Sequence, residues 1–456
     1  MNLSSYQYIY FAGIGGIGMS ALARYFHAEG NVVLGYDRMP TKLTDTLQLE
    51  GISIQFQDEI TPDFGKFTTE NTLVVYTPAI KNLDILQYFR ARNFRILKRA
   101  QVLGLITEGT TCLAVAGTHG KTTTSSLLAH LCKEAGLEVS CFLGGISENL
   151  HSNFFHSGNQ YSVVEADEYD RSFLTLAPDW AVITSTDADH LDIYGDSAAI
   201  EKSFQDFADL LPDAQQLFCR KGISIQSSGP RYAANEPADF YADNIRESGD
   251  HIQFDFHKTS TGETIPFEWE IPGIHNVENA TAAIALLSSL GVSYEKLQAG
   301  IASFKGIKRR YTKHRFANGK IYIDDYAHHP TELDAVIGSI KTFYPGKKLL
   351  VAFQPHLFSR TRDFAQGFAD SLSRADELLL LDIYPARELQ EDYNEITSDW
   401  LLEKVSGTSA QVCTLSEALD LIKQKEFDIL LTAGAGNIDT LYDPLVTWQT
   451  EVSANY

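Results

Sequence analysis

Two glycine-rich turns, each set between an apolar strand-like run and a helix-like stretch, constrain this chain more than any other feature. The first is Gly13-Ile14-Gly15-Gly16-Ile17-Gly18. It follows Tyr8-Ile9-Tyr10-Phe11-Ala12 and precedes a helical pattern reaching Glu29. It fits G-x-G-x-x-G, and Asp37 stands just after the next strand, Val32–Tyr36. Glycines there permit a tight turn and let a diphosphate approach the free N–H groups of a helix start. On this motif alone the ligand is open between a nicotinamide dinucleotide and another diphosphate.

The second turn is Gly117-Thr118-His119-Gly120-Lys121-Thr122, continued by Thr123. It lies between the buried-strand pattern Cys112–Ala116 and a long helical stretch, Thr122–Ala135. Lys121 can reach nucleotide phosphates, and the Thr122 hydroxyl can ligate Mg²⁺. The full phosphate-loop pattern asks for a glycine where Val115 stands, so this is a shortened version.

Around these turns the chain alternates β-rich runs with helical patterns, the mark of parallel α/β domains. Three blocks result: 1–107, 108–312 and 313–456. The expected fold is α/β throughout. The first block is Rossmann-like and the second an ATPase-like domain on the shortened loop, with an antiparallel appendage between about Tyr232 and Glu270. The third is again Rossmann-like, with strands at Ile321–Asp324, Leu349–Phe353, Glu377–Leu381 and Ile429–Thr432.

Charge narrows the partners. With 37 Lys and Arg against 59 Asp and Glu, the net charge is −22. A protein that tracks nucleic acid or binds an anionic membrane needs clustered cations, so neither is expected. The five cysteines form no C-x-x-C pair and read as buried free thiols in a reducing compartment. No basic, apolar leader and no long apolar span is present, which points to a cytoplasmic protein; separately, a monomer or weak homodimer is expected.

A phosphate loop needs partners for its metal. Glu165-Ala166-Asp167-Glu168 follows the strand Tyr161–Val164, and Asp187-Ala188-Asp189-His190 follows another, Ala181–Thr184. Both fall at strand C-terminal ends, where open α/β sheets bind ligands. The residues alone leave Glu165 and His190 open between Mg²⁺ ligation and a solvated loop.

Seven segments then occur in order: GTHGKTTTS, EADEYDRSFL, DADHLDIYGD, GIHNVENATAA, GIKRRY, DDYAHHPTE and FQPHLFSRTRDF. The chain resembles the Mur ligases over nearly its whole length. The resemblance implies an amide-forming ligase of peptidoglycan precursor synthesis that uses ATP and Mg²⁺. It joins L-alanine to the carboxylate of UDP-N-acetylmuramate through an acyl phosphate. By resemblance, Gly13, Gly15, Gly16, Ile17, Gly18 and Asp37 serve the UDP substrate. Thr122, Glu165 and His190 hold the metal. His275, Asn276, Asn279, Arg310, Asp325 and Tyr326 join Gly117–Thr123 in binding the nucleotide. His328 and Arg360, with Arg362 as a further candidate, take the amino acid. Lys121, Arg310, His328 and Arg360 carry the catalysis.

Two departures stand out. Leu357 occupies a place where many family members have arginine, which puts more weight on Arg360. Some relatives use a carbamylated lysine as a metal bridge. Lys202 is the only lysine near His190, and it is given no such role.

Three rival readings remain. A recycling ligase adds a tripeptide to the same UDP-muramate. A nicotinamide dehydrogenase would use the first loop but leaves the second unexplained. An ATPase switch would use the second but leaves the His and Arg residues of the third block unexplained.

Overall fold

The computed structural model describes residues 3–78, 80, 82–187, 194, 197–248, 251–386 and 388–453. Three sheets carry the chain. The first has β1 (Tyr8–Ala12), β2 (Val32–Tyr36), β3 (Ser53–Gln55), β4 (Thr72–Tyr76) and β5 (Arg95–Lys98). Its order is β3-β2-β1-β4-β5, with every neighbour parallel. The order reverses at β1, so the crevice at its C-terminal end receives the Gly13–Gly18 turn. Helix α1 (Ile17–Ala28) leaves that turn directly.

The second sheet has ten strands. They are β6 (Thr111–Ala116), β7 (Val139–Ser147), β8 (Ser152–His156), β9 (Tyr161–Ala166), β10 (Trp180–Ile183), β11 (Leu217–Arg220), β12 (Arg231–Ala234), β13 (Phe240–Ser248), β14 (His251–Lys258) and β15 (Glu263–Trp269). The order runs β15-β14-β13-β12-β11-β10-β6-β9-β7-β8. β6 lies inside, parallel to both β9 and β10. Its run Cys112–Ala116 is wholly buried, as a strand covered on both faces must be. Helix α2 (Lys121–Glu134) follows the second glycine turn.

The stretch from Tyr232 to Glu270 is the far edge of this same sheet, not a detached lobe. β12 pairs in parallel with β11 and β13, which extends the parallel region further than the alternating pattern suggested. β14 and β15 are sheet neighbours joined through Thr259–Gly262, a connection too short for anything but antiparallel pairing.

The third sheet has β16 (Thr312–Arg315), β17 (Ile321–Asp325), β18 (Leu349–Phe353), β19 (Glu377–Leu381), β20 (Ser409–Cys413) and β21 (Ile429–Ala433). Its order is β16-β17-β21-β18-β19-β20. Only β16 runs antiparallel to its neighbour. All four strands expected in this block are present.

By compactness the chain divides in two. One unit holds Met1–Arg246, Gln253–Trp269 and Asn276–Lys305, and so contains the first sheet and the second apart from the adjoining ends of β13 and β14. The other holds Gly306–Tyr456 with the short pieces Glu247–Ile252 and Glu270–His275. All five cysteines are free and buried. No described helix is long and apolar enough to cross a membrane.

Within the first unit, α1 is fastened to the β7–β8 hairpin by Asn153, which is fully buried. Its amide donates to the Ile17 carbonyl at 2.5 Å and to Ser20 Oγ at 2.9 Å. Its oxygen accepts from Arg24, whose guanidinium also grips Glu50 at 2.7 and 2.9 Å. Asn153→Ala strands these groups without water. It should cost about 1–3 kcal/mol, read as a lower urea midpoint for the first unfolding transition.

Candidate functional site

The second glycine turn is built by backbone conformation. Gly117 has φ 137° and Gly120 has φ 82°, both in the left-handed region. At Gly120 an added Cβ would lie 2.7 Å from Asn279 Oδ1; at Gly117 it would overlap the Thr184 hydroxyl. Glycine is therefore required twice, for the turn and for close packing. The loop is laced to the end of β10. Ser185 Oγ accepts from His119 N–H at 2.8 Å and pairs with Thr118 Oγ1 at 2.9 Å. Thr118 Oγ1 in turn accepts from Asp187 N–H at 2.9 Å. Thr123 sits half-buried in the first turn of α2.

Lys121 reaches back across this loop. Its ammonium donates to the Gly117 carbonyl at 2.7 Å and meets Glu168 at 2.8–3.0 Å. Burial works against its charge, but the carboxylates of Glu168, Asp167 and Glu165 outweigh burial and raise its pKa above the ordinary lysine value. The lysine is thus a fixed cation. Glu168 is almost wholly buried. No motif marks it. The signal lay in its position, three residues beyond Glu165, in a segment opposite a lysine that needs a counter-charge.

Glu165 ends β9 facing the same loop. It accepts from Thr122 Oγ1 at 3.1 Å, from the Gly144 N–H at 3.2 Å and from Ser125 Oγ at 3.5 Å. A hydroxyl and a carboxylate side by side at a phosphate loop form an oxygen donor pair, which suits Mg²⁺ completed by phosphate and water oxygens. No group of three His, Cys, Asp or Glu able to hold a metal occurs among the described residues. His190, expected as a further ligand, lies outside the described residues. Lys202 is 75% exposed on a helix face and pairs with Asp206 at 3.0 Å.

At the first turn, Asp37 points inward. Its two oxygens accept from the Gly15 N–H and the Arg38 N–H, each at 2.7 Å. A dinucleotide site needs that carboxylate for ribose hydroxyls. Here it braces the turn. A cavity of about 290 Å³ runs from Gly16–Met19 past Thr77 and Phe142 to Glu165 and Asp167. It joins the first turn to the acidic side of the second.

Asn276 and Asn279 lie buried in the helix Ile274–Ser289, and Asn279 overhangs Gly120 as described. His275 belongs to the second unit. It is an exposed residue there, with groups crowded round its ring and the charge of Arg310 both acting to lower its pKa. In that unit the Tyr326 ring lies beneath both Arg309 and Arg310, 5.1 and 5.4 Å away. Arg310 pairs with Glu332 at 3.5 Å. Asp325 accepts from the Tyr311 and Ala327 N–H groups, each at 2.7 Å.

His328 Nδ1 lies 3.0 Å from the Tyr326 carbonyl and 3.2 Å from Glu332. A carbonyl only accepts, so Nδ1 carries a proton, and in the neutral ring Nε2 is the nitrogen with the lone pair. His329 caps the following helix and Pro330 opens it, so the capping role and a site role coexist in one segment. The His356 ring is 6.1 Å from His328 and stacks on Tyr384 at 5.8 Å. Arg360 is half-buried on the short helix Phe358–Asp363. Leu357 enters that helix with φ 70°. Arg362 is exposed and paired with Asp363 at 2.7 Å.

A phosphate loop with a buried lysine, an oxygen pair for a divalent cation and a second glycine turn define a nucleotide-binding α/β protein. The Mur ligase catalytic, middle and glutamate ligase domain models match residues 8–111, 115–287 and 309–436. This chain belongs to the Mur ligase family. It is 48% identical to a UDP-N-acetylmuramate–L-alanine ligase of Christiangramia forsetii, over 96% of both chains. It is 50% identical to the protein of that name from Flavobacterium psychrophilum, over 96% of this chain and 97% of the other. Among solved structures, the UDP-N-acetylmuramate-alanine ligase of Thermotoga maritima superposes with TM-score 0.82 at 26% identity, covering 97% and 99%. A murein peptide ligase of Psychrobacter arcticus gives 0.72 at 25%, covering 97% and 98%.

One electrostatic feature of the second unit is testable. Burial, against the pull of Arg309, raises the Asp324 pKa to about 6. Unfolded, an aspartate ionises near pH 4. The raised value therefore contributes stability below about pH 4 that is lost as pH rises through about 6. Asp324→Asn should be worse than wild type at pH 4 and gain on it by about 2–3 kcal/mol by pH 8, followed by urea unfolding.

Proposed function

We infer that this protein joins L-alanine to the muramoyl carboxylate of UDP-N-acetylmuramate at the expense of ATP, in the cytoplasm, during peptidoglycan precursor synthesis. The observation that carries the reading is Glu165, which lines a cavity reaching back to the first glycine turn and accepts from Thr122 of the second, whose neighbour Lys121 is paired with Glu168. A nucleotide triphosphate and a UDP-sugar held there would present a carboxylate to a γ-phosphate.

The chemistry follows from the substrates. A carboxylate is a poor electrophile. Its oxygen attacks the γ-phosphorus, ADP leaves, and the resulting acyl phosphate carries a good leaving group. The alanine nitrogen then attacks the acyl carbon, and inorganic phosphate departs with the C–O electron pair. Phosphoryl transfer of this kind needs positioning and charge neutralisation more than covalent help. Lys121 supplies a fixed positive charge beside the phosphates. Thr122 and Glu165 would hold Mg²⁺, which when bound offsets phosphate charge. His190 completes that set on the family pattern.

On the family pattern, Asn276 and Asn279 of the first unit are assigned to the adenine nucleotide, and so are His275, Arg310, Asp325 and Tyr326 of the second. In the second unit, Arg360 is assigned to the alanine carboxylate, which a guanidinium can grip with two parallel bonds. His328, with its Nε2 lone pair, would take the proton that the alanine ammonium must lose before it attacks. The turn Gly13–Gly18 cradles the UDP diphosphate. Gly15 and Asp37 shape that cradle by bonding each other.

ADP release should require both UDP-N-acetylmuramate and L-alanine. Turnover with L-Ala-γ-D-Glu-diaminopimelate in place of alanine would shift the assignment to the recycling reaction. Lys121→Ala should lower kcat by roughly a thousand-fold or more, since a buried charge at the transferring phosphate is lost. UDP-N-acetylmuramate should still bind by calorimetry. Loss of both would contradict the separation of the two stations.

A further inference from the structure

Of the described residues lining the cavity that runs from the first glycine turn to Glu165, Arg99 is the one cation. It opens helix α3 (Arg99–Thr107), the connection between the first and second sheets. Its guanidinium lies against the first turn of α1. A Cβ at Gly18 would stand 2.9 Å from Arg99 Nη1 and 3.0 Å from its Cδ. Glycine at position 18 thus makes room for the arginine as well as for the turn.

On its other side Arg99 meets Asp167, Nη2 to Oδ2 at 3.8 Å. That distance and the 42% exposure of the Asp167 side chain describe a loose, solvent-screened pair. Asp167 is also held by its own turn, accepting from the Tyr169 N–H at 3.1 Å. Arg99 is well anchored through its helix. Thr175 donates to the Ala100 carbonyl at 2.9 Å, and Gly104 packs directly against the Thr175 backbone. A cation is therefore delivered rigidly to the cavity wall while its present partner holds it weakly. Among the described residues, the other charged groups on the cavity wall are Glu165 and Asp167, both acidic. A dianionic diphosphate cradled by the helix start beside two carboxylates is held better with a cation next to it.

We propose that Arg99 binds the diphosphate of the UDP-sugar at the first turn of α1, and that Asp167 is the placeholder it leaves when the substrate arrives. This rests on the ligase reading above and adds to it the residue that recognises the substrate's diphosphate. The guanidinium matches two phosphate oxygens at once, as an ammonium cannot. Exchange of a screened carboxylate for a diphosphate strengthens the contact. It also frees Asp167 beside Glu165.

Calorimetry with two probes tests this: UDP-N-acetylmuramate, and UDP-N-acetylglucosamine, which has the diphosphate but no lactyl carboxylate. Arg99→Ala should weaken both by on the order of 10- to 100-fold, the worth of a charged hydrogen-bonded contact. Arg99→Lys should recover part of the loss. An unchanged melting temperature without ligand would separate this from a folding defect. Asp167→Asn should tighten both probes by about two- to five-fold, the modest worth of a screened pair. Equal binding by Arg99→Ala and wild type would overturn the proposal. So would a loss confined to UDP-N-acetylmuramate, which would place Arg99 on the carboxylate instead. Weaker binding by Asp167→Asn would overturn the exchange. If wild type bound neither probe, the ligase reading itself would fall, and this one with it.

Discussion

The phosphate site depends on how β6 is registered against β9. Val115 pairs with Glu165 and Ala116 with Ala166, in parallel. Two strands ending side by side bring Glu165 within hydrogen-bond reach of Thr122 and carry the chain on to Glu168, the partner of Lys121. A slip of one residue would turn Glu165 to the opposite face of the sheet. The loop would keep its shape, but its threonine would lose the neighbouring carboxylate and its lysine the counter-charge. A cation as buried as Lys121 is tolerable only while paired, since an isolated one costs several kcal/mol. An arriving phosphate can take over from Glu168 without leaving that charge exposed to an apolar wall.

The two turns were legible in sequence because backbone geometry writes itself in glycine. Positive φ at Gly13, Gly117 and Gly120 leaves few other choices. The parallel strands were legible for a related reason: burial on both faces leaves nearly unbroken apolar runs, as in Leu349–Phe353 and Glu377–Leu381. The edge of the second sheet was harder to read. Alternating residues from Ile252 to Phe256 mark a strand with one covered face, but not whether it extends a parallel sheet or starts another layer. Pairing of β12 with β11 and β13 is a long-range fact with no local signature.

Side-chain partnerships were the least legible. Arg99 opens a helix that reads as ordinary linker, and only folding sets it against Gly18. Glu168 looks like one of several acidic residues in a polar segment, yet it is among the most buried carboxylates of the chain. In the second unit, the Asp324-Asp325 pair ends β17 with both side chains buried and both pKa values raised to about 6, chiefly by burial. The DDYAHH segment marks these residues as special. It does not reveal that Asp325 is spent on two backbone N–H groups while Asp324 leans on Thr432 and Arg309.

Asp37 shows how a shared motif can serve different ligands. Glycine spacing, strand and helix at the first turn are those of a dinucleotide fold, and so is an acidic residue after the second strand. What differs is where that acid points. With each oxygen accepting from a backbone N–H group, Asp37 tightens the turn. The turn keeps its capacity to cradle a diphosphate, because that capacity belongs to the helix start and the missing side chains. Recognition of the rest of the ligand must then come from elsewhere on the cavity wall. That wall leads to Glu165, the hydrogen-bond partner of Thr122, so what the first turn holds by its diphosphate extends toward that carboxylate. A nicotinamide dinucleotide would gain nothing from Lys121 or Thr122 there. A UDP-sugar bearing a carboxylate would meet the groups needed to activate it.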